Sequence, residues 1–455
     1  MRLLTPEIII DEDDPFKNDR LNRKPFGESL MDLIMNIEDN IVLSLDGQWG
    51  DGKTTFVKMW QILLEKNDIK TIYFDSFTND YFEDPFIALV GNITSLLEKA
   101  NPKKKQMKEL KAKASKVGVQ LLSLGARVGI KAATLGILKD TDIDQLKGIA
   151  GDIASSTSNF ASKIIEEKLN TYKEDVDAIQ EFKDKLQEIA EETFIKNKKP
   201  IVFIVDELDR CKPIYALNLM EKIKHLFSVK HIVFLLVMHK EQLEQSVRCL
   251  YGPNIDARTY LQKFINIECK LPRNVNDRFG NDYTKYCKTL LELHELDTGG
   301  DPRYLQEYME LLARGLKFTL RDLQRCYTNL VLFYSATQNM FKGNDSLIAL
   351  LAILKVKKPD LFEALKYRTL SLNDLWDKLG FDRIYFTQED VSMIDILKRF
   401  LRVCLLPTAE FEKLDEKSDE KNIASSWNFN FGMSGRTEIL PYLCKQFEAF
   451  KFPST

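Results

Sequence analysis

The sequence lacks the features of a disulfide-bonded, zinc-binding or secreted protein. Its seven cysteines are an odd number, are widely spaced and include no CxxC pair, which argues against a disulfide framework and against a zinc ribbon. The first residues run into an acidic stretch from Asp11 to Asp14 and lack the basic start, apolar core and cleavage site of a secretory signal. We therefore expect reduced thiols and a cytoplasmic location.

The sequence also lacks a long apolar run without charges and an excess of one charge sign. The best membrane candidate, Val117 to Leu138, contains Arg127 and Lys131 near its middle, where each charge costs about 2.5 to 3.5 kcal/mol on insertion scales. We expect no transmembrane segment, and contact with a membrane surface stays open. The 65 basic and 68 acidic residues give a net charge of -3, so any contact with nucleic acid must be local.

Five short apolar runs predict the strands of a parallel α/β core. Most are unbroken rather than alternating, as expected for strands that helices cover on both faces. Apolar residues at helical spacing lie between the runs, for example Phe56, Trp60 and Leu64. The predicted strands are Ile41 to Leu45, Thr71 to Phe74, Ile201 to Val205, Ile232 to Val237 and Phe264 to Ile267.

A helical insertion is predicted to interrupt this core. About 125 residues separate the second run from the third, whereas a parallel crossover needs only a dozen or more. Residues 101–195 contain no convincing strand, and the chain after residue 275 has helical periodicity almost to its end. We therefore predict four segments, which are the first part of the core at 1–100, the insertion at 101–195, the second part of the core at 196–275 and an all-α C-terminal domain at 276–455.

A phosphate-binding loop is predicted between the first strand and the following helix, because the sequence there fits the pattern GxxxxGK[ST]. Backbone N–H groups in such a loop point at phosphate oxygens, at the positive end of a helix. Lys53 is expected to reach the β- and γ-phosphates, and Thr54 to offer its hydroxyl to Mg2+. The alternative is a glycine-rich turn without a ligand. The predicted nucleotide-binding residues are Gly47, Gln48, Trp49, Gly50, Asp51, Gly52, Lys53, Thr54 and Thr55.

Two carboxylates, Asp206 and Glu207, directly follow the third predicted strand. This position is the carboxyl edge of the sheet, where open α/β folds bind ligands. The arrangement fits a Walker B motif, in which Asp206 would hold the metal ion and Glu207 would orient and polarise the attacking water. The alternative is that the acidic pair caps the next turn.

Three further polar residues are candidates for sensing or stabilising phosphate charge. Arg210 could compensate that charge in its own subunit or in a neighbouring one, and the alternative is a structural contact with Asp209. His239 follows the fourth strand, where additional-strand NTPases usually place a polar residue that senses the γ-phosphate, and the alternative is a capping or surface histidine. Arg321 and Arg325 lie one turn apart on a predicted helix and could reach the nucleotide, or could form a solvated basic face.

The start of that helix has its own local signal. Thr319 and Asp322 have the spacing of a capping box, in which each side chain satisfies a backbone N–H of the other residue. We therefore expect the helix to begin directly after Thr319.

At these residues the chain resembles the KAP family of P-loop NTPases, in the additional-strand (ASCE) class. The resemblance implies a three-layer P-loop NTPase sandwich with a helical insertion between Walker A and Walker B, and it implies ATP and Mg2+ as cofactors. The family often has Asp-Asp where this chain has Asp206-Glu207, a change that keeps a carboxylate. The similar segments are Leu21 to Phe26, Gly47 to Thr55, Val205 to Pro213, Tyr260 to Phe264 before Leu271-Pro272, and Leu320 to Arg325.

The resemblance implies an ATPase whose hydrolysis drives or times a conformational change, and bacterial members of the family are often linked to phage exclusion. The expected partners are a nucleotide and either another protein or further copies of this chain. Two alternatives stay open: a nucleotide-binding scaffold with little turnover, and a nucleic-acid motor that uses the basic stretch from Lys103 to Lys116.

Overall fold

The computed structural model describes residues 1–37, 39–81, 84–100, 105–106, 108–118, 157–274, 281–337, 343–380, 387–431 and 435–449. Most of the membrane candidate, from residue 119 to Leu138, lies outside these residues, as do Lys103 and Lys104 of the basic stretch. Within the described ranges, no helix combines the length and apolar character needed to cross a bilayer.

The chain divides into two compact units. The sheet unit consists of Pro25–Gly47 and Lys53–Leu271, and the helical unit consists of Met1–Lys24, Gln48–Gly52 and Pro272–Thr455. The middle of the phosphate loop thus belongs to the helical unit, while the residues on both sides of it belong to the sheet unit. The four predicted segment boundaries stay predictions.

The sheet unit contains a five-stranded sheet in the order β2-β3-β4-β1-β5, in which every pairing is parallel. The predicted parallel α/β core is therefore confirmed. Every residue of β3 and β4 is buried, as expected for central strands covered on both faces. The strands are β1 (Ile41–Asp46), β2 (Lys70–Asp75), β3 (Ile201–Asp206), β4 (Ile232–Met238) and β5 (Ile267–Lys270).

The last strand begins three residues later than predicted. Phe264 and Ile265 are buried, but Phe264 N–H donates to the Leu261 carbonyl in a turn that follows a short helix. Pairing begins at Asn266, whose N–H donates to the Val42 carbonyl at 2.8 Å. The apolar run therefore indicated burial in the core rather than strand conformation.

Helices of the sheet unit surround this sheet. Phe56, Trp60 and Leu64 form the buried face of α2, and the Trp60 indole donates to the Gly27 carbonyl at 2.9 Å. Residues 108–118 are also helical. The helices are α1 (Lys24–Met35), α2 (Lys53–Lys66), α3 (Pro85–Ala100), α4 (Thr157–Asn197), α5 (Pro213–Leu226), α6 (Lys240–Tyr251) and α7 (Ala257–Leu261).

The helical unit has a separate apolar core, to which most of its helices contribute. Its central helix, α11, is buried from Ser346 to Leu354. The helices are α8 (Asp282–His294), α9 (Pro302–Gly315), α10 (Leu320–Thr337), α11 (Asp345–Lys357), α12 (Pro359–Lys366), α13 (Leu372–Leu379), α14 (Gln388–Leu405), α15 (Thr408–Glu412), α16 (Asp419–Phe431) and α17 (Ile439–Glu448).

Candidate functional site

Within the sheet unit, the carboxyl edge of the sheet carries several of the polar side chains that the sequence predicts for the site. β2 and β3 are adjacent and in register, so that Asp75 pairs with Asp206 at the last position of each strand. Lys53 and Thr54 begin helix α2 after the phosphate loop, and Glu207 follows β3 directly. Strand order thus places carboxylates beside a lysine and a hydroxyl.

Lys53 and Thr54 both have defined contacts in the sheet unit. The Lys53 ammonium donates to the Gly47 carbonyl at 2.6 Å, and the lysine is only 8% exposed. The Thr54 hydroxyl donates to the Asp206 carboxylate. The two oxygens are therefore close enough for a single cation to contact both, and their role as metal ligands stays a prediction.

Asp206 is 1% exposed and accepts several hydrogen bonds. Tyr73 donates its hydroxyl to Asp206 Oδ2 at 2.9 Å, and the Glu207 N–H donates to Oδ1 at 2.8 Å. Burial raises the pKa of Asp206, whereas the bonds from Tyr73 and Thr54 act in the opposite direction because they favour the charged carboxylate.

Glu207 occupies a left-handed backbone conformation, with φ at 60°. A non-glycine residue in this region stores strain, which often marks functional sites. Its Oε1 lies 2.8 Å from Arg210 Nη1, so the structure pairs Arg210 with Glu207. Burial raises the pKa of Glu207, and the charge of Arg210 partly opposes this effect.

Within the helical unit, the middle of the phosphate loop contacts the start of α10. Gly50 has φ at +90° and accepts a hydrogen bond from the Arg321 N–H at 3.2 Å. A Cβ atom on Gly50 would lie 2.5 Å from the Arg321 Cβ and 3.0 Å from the Thr319 hydroxyl. Both the backbone conformation and the close approach therefore require glycine at this position.

Asp51 is the acidic residue of this loop segment and is 8% exposed. Its Oδ2 accepts the Gln48 N–H at 3.1 Å, and its Oδ1 lies 3.5 Å from Arg273 Nη1. Arg23 Nη1 donates to the Asp51 carbonyl at 2.9 Å. Two arginines thus act on one loop residue.

The remaining predicted residues have less informative surroundings. His239 precedes α6, and its Nε2 lies 3.8 Å from the carboxylate of Glu241. Trp49 is 43% exposed, and Arg325 lies within α10. Their sensor or binding roles, like that of Thr55 in α2, stay predictions.

The predicted capping box is confirmed. The Thr319 N–H donates to Asp322 Oδ2 at 3.1 Å, and the Asp322 N–H donates to the Thr319 hydroxyl at 3.2 Å. The box fixes the start of α10, which presents the Arg321 N–H to Gly50.

The sequence did not predict roles for Tyr73, Arg23 and Arg273. Tyr73 belongs to an edge strand of the sheet, and its pairing with a carboxylate on β3 depends on strand order. Arg23 lies in the upstream segment of the family resemblance, and Arg273 follows β5 and Pro272. An arginine just after a strand's carboxyl end was a usable signal, although it did not identify Asp51 as the partner.

The residues present fit a nucleoside triphosphate and Mg2+. Gly50 and Gly52 have positive φ angles of 90° and 81°, a conformation that glycine adopts readily and that lets the backbone of a phosphate loop wrap around an anion. The hydroxyl of Thr54 and the carboxylate of Asp206 are both oxygen ligands of the kind that Mg2+ prefers.

Comparison with known proteins supports the same family. A protein-family profile described as the KAP family P-loop domain matches residues 23–337. An uncharacterized protein of Methanocaldococcus jannaschii is 27% identical over 175 residues, which cover 36% of this chain and 88% of that protein.

Two solved structures of the Aeropyrum pernix ORC2 protein show a distant similarity. The structure with ADPNP and ADP has a TM-score of 0.34 and 13% identity, with 94% of this chain and 93% of that chain covered. The ADP form has a TM-score of 0.33 and 11% identity, with 98% and 97% covered. Similarity at this level supports no statement about function.

Proposed function

Because the chain belongs to the KAP family of P-loop domains, we propose that it is a Mg2+-dependent ATPase that acts as a conformational switch. Membership of this family supports nucleotide binding. Hydrolysis and conformational switching go beyond family membership and are what we propose. The observation that carries them is the contact of the Thr54 hydroxyl with Asp206 at the end of β3, next to Glu207. This group of residues would hold a metal ion and activate water in one place.

Each residue has a defined task in this proposal. The Lys53 ammonium, which now donates to the Gly47 carbonyl, would instead donate to phosphate oxygens. The loop N–H groups would bind the other phosphate oxygens. Bound Mg2+ would neutralise phosphate charge, held by Thr54 and Asp206. Glu207 would orient water and accept its proton on a carboxylate oxygen, a role that the raised pKa favours.

Arg210 is expected to regulate this step. Its ion pair with Glu207 at 2.8 Å occupies one carboxylate oxygen of the proposed base. We propose that Arg210 turns towards phosphate when nucleotide binds, in its own subunit or in a neighbouring one. The pair also favours a second candidate function, in which the chain binds ATP with little turnover and recruits a protein partner.

An ATPase assay tests the proposal. We expect phosphate release that requires Mg2+ and is lost in Lys53→Ala. Glu207→Gln should lower kcat by about 100-fold or more, in line with the loss of a general base, while it still binds ATP. Glu191→Gln, on the exposed face of α4, is the matched control and should behave like the wild type. Normal turnover in Glu207→Gln would refute the base assignment, and tight binding without turnover in the wild type would favour the scaffold.

The described part of the basic stretch gives the nucleic-acid alternative little support. Lys113 and Lys116 lie 4.0 and 3.7 Å from the Glu181 carboxylate of α4, and Lys185 of α4 pairs with Glu109 at 2.8 Å. Lys113 and Lys116 thus share one acidic partner, which reduces the local excess of positive charge. DNA that stimulates the ATPase at low salt, where such binding is strongest, would support the motor instead.

Antiphage defence and a cytoplasmic location extend the proposal by way of the family resemblance. Bacteria that express the wild-type chain should resist at least one phage of a broad panel, and cells with Lys53→Ala should not. Equal plating on both strains across the panel would count against the defence role without affecting the proposed ATPase chemistry.

A further inference from the structure

We propose that Arg23 and Arg273 are positioning residues that make the phosphate loop able to accept a triphosphate, because they compensate the buried Asp51 and fix its backbone. The inference rests on the proposed function and identifies a charge balance within the nucleotide site. Neither arginine belongs to the GxxxxGK[ST] pattern or to the acidic pair.

Asp51 is an unfavourable residue for an anion-binding loop unless its charge is compensated. It lies two positions before Lys53 and is 8% exposed. Its Oδ2 accepts the Gln48 N–H at 3.1 Å, so the carboxylate also holds the turn of the loop. A buried negative charge repels phosphate oxygens more strongly than an exposed one, because the surroundings screen it less.

Arg273 provides the compensating charge and is itself held in place. Its Nη1 lies 3.5 Å from Asp51 Oδ1. Its Nη2 donates to the Tyr283 hydroxyl at 2.8 Å and to the Phe318 carbonyl, and the guanidinium stacks on the Tyr283 ring at 5.0 Å. Because the helical unit fixes the other side of the guanidinium, Arg273 offers a preorganised charge rather than a mobile one.

Arg23 acts on the backbone of the same residue. Its Nη1 donates to the Asp51 carbonyl at 2.9 Å and would lie 3.2 Å from a Cβ atom on Gly52. Arg23 is 7% exposed, and the nearby Asp282 is 2% exposed, so each of these two charges stabilises the other. The Asp19 carboxylate also accepts the Arg23 N–H.

These contacts predict how ATP binding responds when a charge is removed while the hydrogen bonds of the loop are kept. Arg273→Gln removes the positive charge beside the Asp51 carboxylate and leaves only Arg23 near it. Binding should therefore weaken more for ATP than for ADP, which has fewer charges to repel. Asp51→Asn keeps an oxygen that can accept the Gln48 N–H and removes the charge, so this variant should bind ATP more tightly than the wild type.

The experiment measures the dissociation constants of ATP and ADP by calorimetry, with a catalytically inactive Glu207→Gln background. We expect Arg273→Gln to bind ATP about tenfold more weakly, which corresponds to about 1.4 kcal/mol. The double variant Asp51→Asn/Arg273→Gln should recover most of that loss. Arg303→Gln is the control, because its pair with Asp301 lies on the surface of the same unit.

The outcomes separate the inference from the proposed function. Equal ATP binding by Arg273→Gln and Arg303→Gln, or equal weakening for ATP and ADP without recovery in the double variant, overturns the inference alone. If Arg273→Gln does not fold, Asp51→Asn decides, since weaker ATP binding by that variant overturns the inference. Absence of nucleotide binding in the wild-type protein refutes both.

Discussion

Asp206 is the residue on which the hydrogen bonds of the sheet unit's site converge. Tyr73, Thr54 and the Glu207 N–H all donate to its carboxylate. Burial raises the pKa of Asp206 and so favours the neutral acid, which binds a cation poorly, and these donors partly offset that effect. We therefore expect Tyr73 to help keep Asp206, the proposed metal ligand, in its charged form, although the two residues are 133 positions apart in the sequence.

Tyr73→Phe should make Asp206 easier to protonate. The bond from Tyr73 lowers the pKa of Asp206, so its loss raises that pKa and moves the acid limb of the ATPase pH profile to higher pH. Activity at pH 8 should stay near the wild-type value. Tyr251→Phe removes an exposed hydroxyl that pairs with Tyr260 and is the control. Superimposable profiles for Tyr73→Phe and the wild type would contradict the proposed role.

At the scale of elements, α10 connects a local capping signal to the phosphate loop. Its capping box fixes the residues from Thr319 to Asp322, and this places the Arg321 N–H against the Gly50 carbonyl. A second capping box, formed by Thr387 and Asp390, begins α14. The same local motif therefore occurs both with and without a loop contact.

These two boxes form a matched pair for mutation. Thr319→Ala and Thr387→Ala should each lower the free energy of unfolding by about 1 kcal/mol, the usual cost of a lost N-cap. Only Thr319→Ala is expected to weaken ATP binding as well, because the start of α10 contacts Gly50. Urea denaturation and calorimetry measure the two effects. An equal loss of ATP affinity in both variants would show that general stability, rather than this contact, explains the effect.

At the scale of the whole molecule, the helical unit joins distant parts of the chain. His294, at the end of α8, is 0% exposed. Its Nδ1 lies 2.6 Å from the Arg2 carbonyl and its Nε2 lies 3.0 Å from the Thr5 hydroxyl. Since a carbonyl can only accept, Nδ1 carries the proton of the neutral ring, and Nε2 accepts from Thr5.

Stability should fall as the pH decreases below neutrality. Burial lowers the pKa of His294 below its ordinary value of 6.5, so the unfolded chain takes up this proton at a higher pH than the folded chain does. The unfolded state then binds more protons, and the free energy of unfolding decreases as the pH falls through that window. In urea denaturation, the free energy of unfolding of His294→Gln should depend less on pH between 7.5 and 5.5 than that of the wild type. An unchanged pH dependence would contradict this account.

The sequence by itself determined the features that depend on neighbouring residues. The phosphate loop, the acidic pair after β3 and the capping box at Thr319 are local patterns, in which a few adjacent residues specify both conformation and chemistry. The unbroken apolar runs likewise predicted the parallel sheet, because burial on both faces requires them. Only β5 was displaced, since apolarity at Phe264 and Ile265 reports burial and not backbone conformation.

The tertiary structure alone decided which distant residues complete the site. Tyr73 reaches Asp206 because β2 pairs with β3 in register, and no local pattern states that order. Asp51 contacts Arg23 and Arg273, which lie in remote parts of the sequence. The loop pattern allows any residue at position 51. A buried charge at this position needs a partner of opposite charge, and only the folded chain brings that partner close. Hydrogen bonds and ion pairs between distant residues depend on packing, and packing is a property of the folded chain.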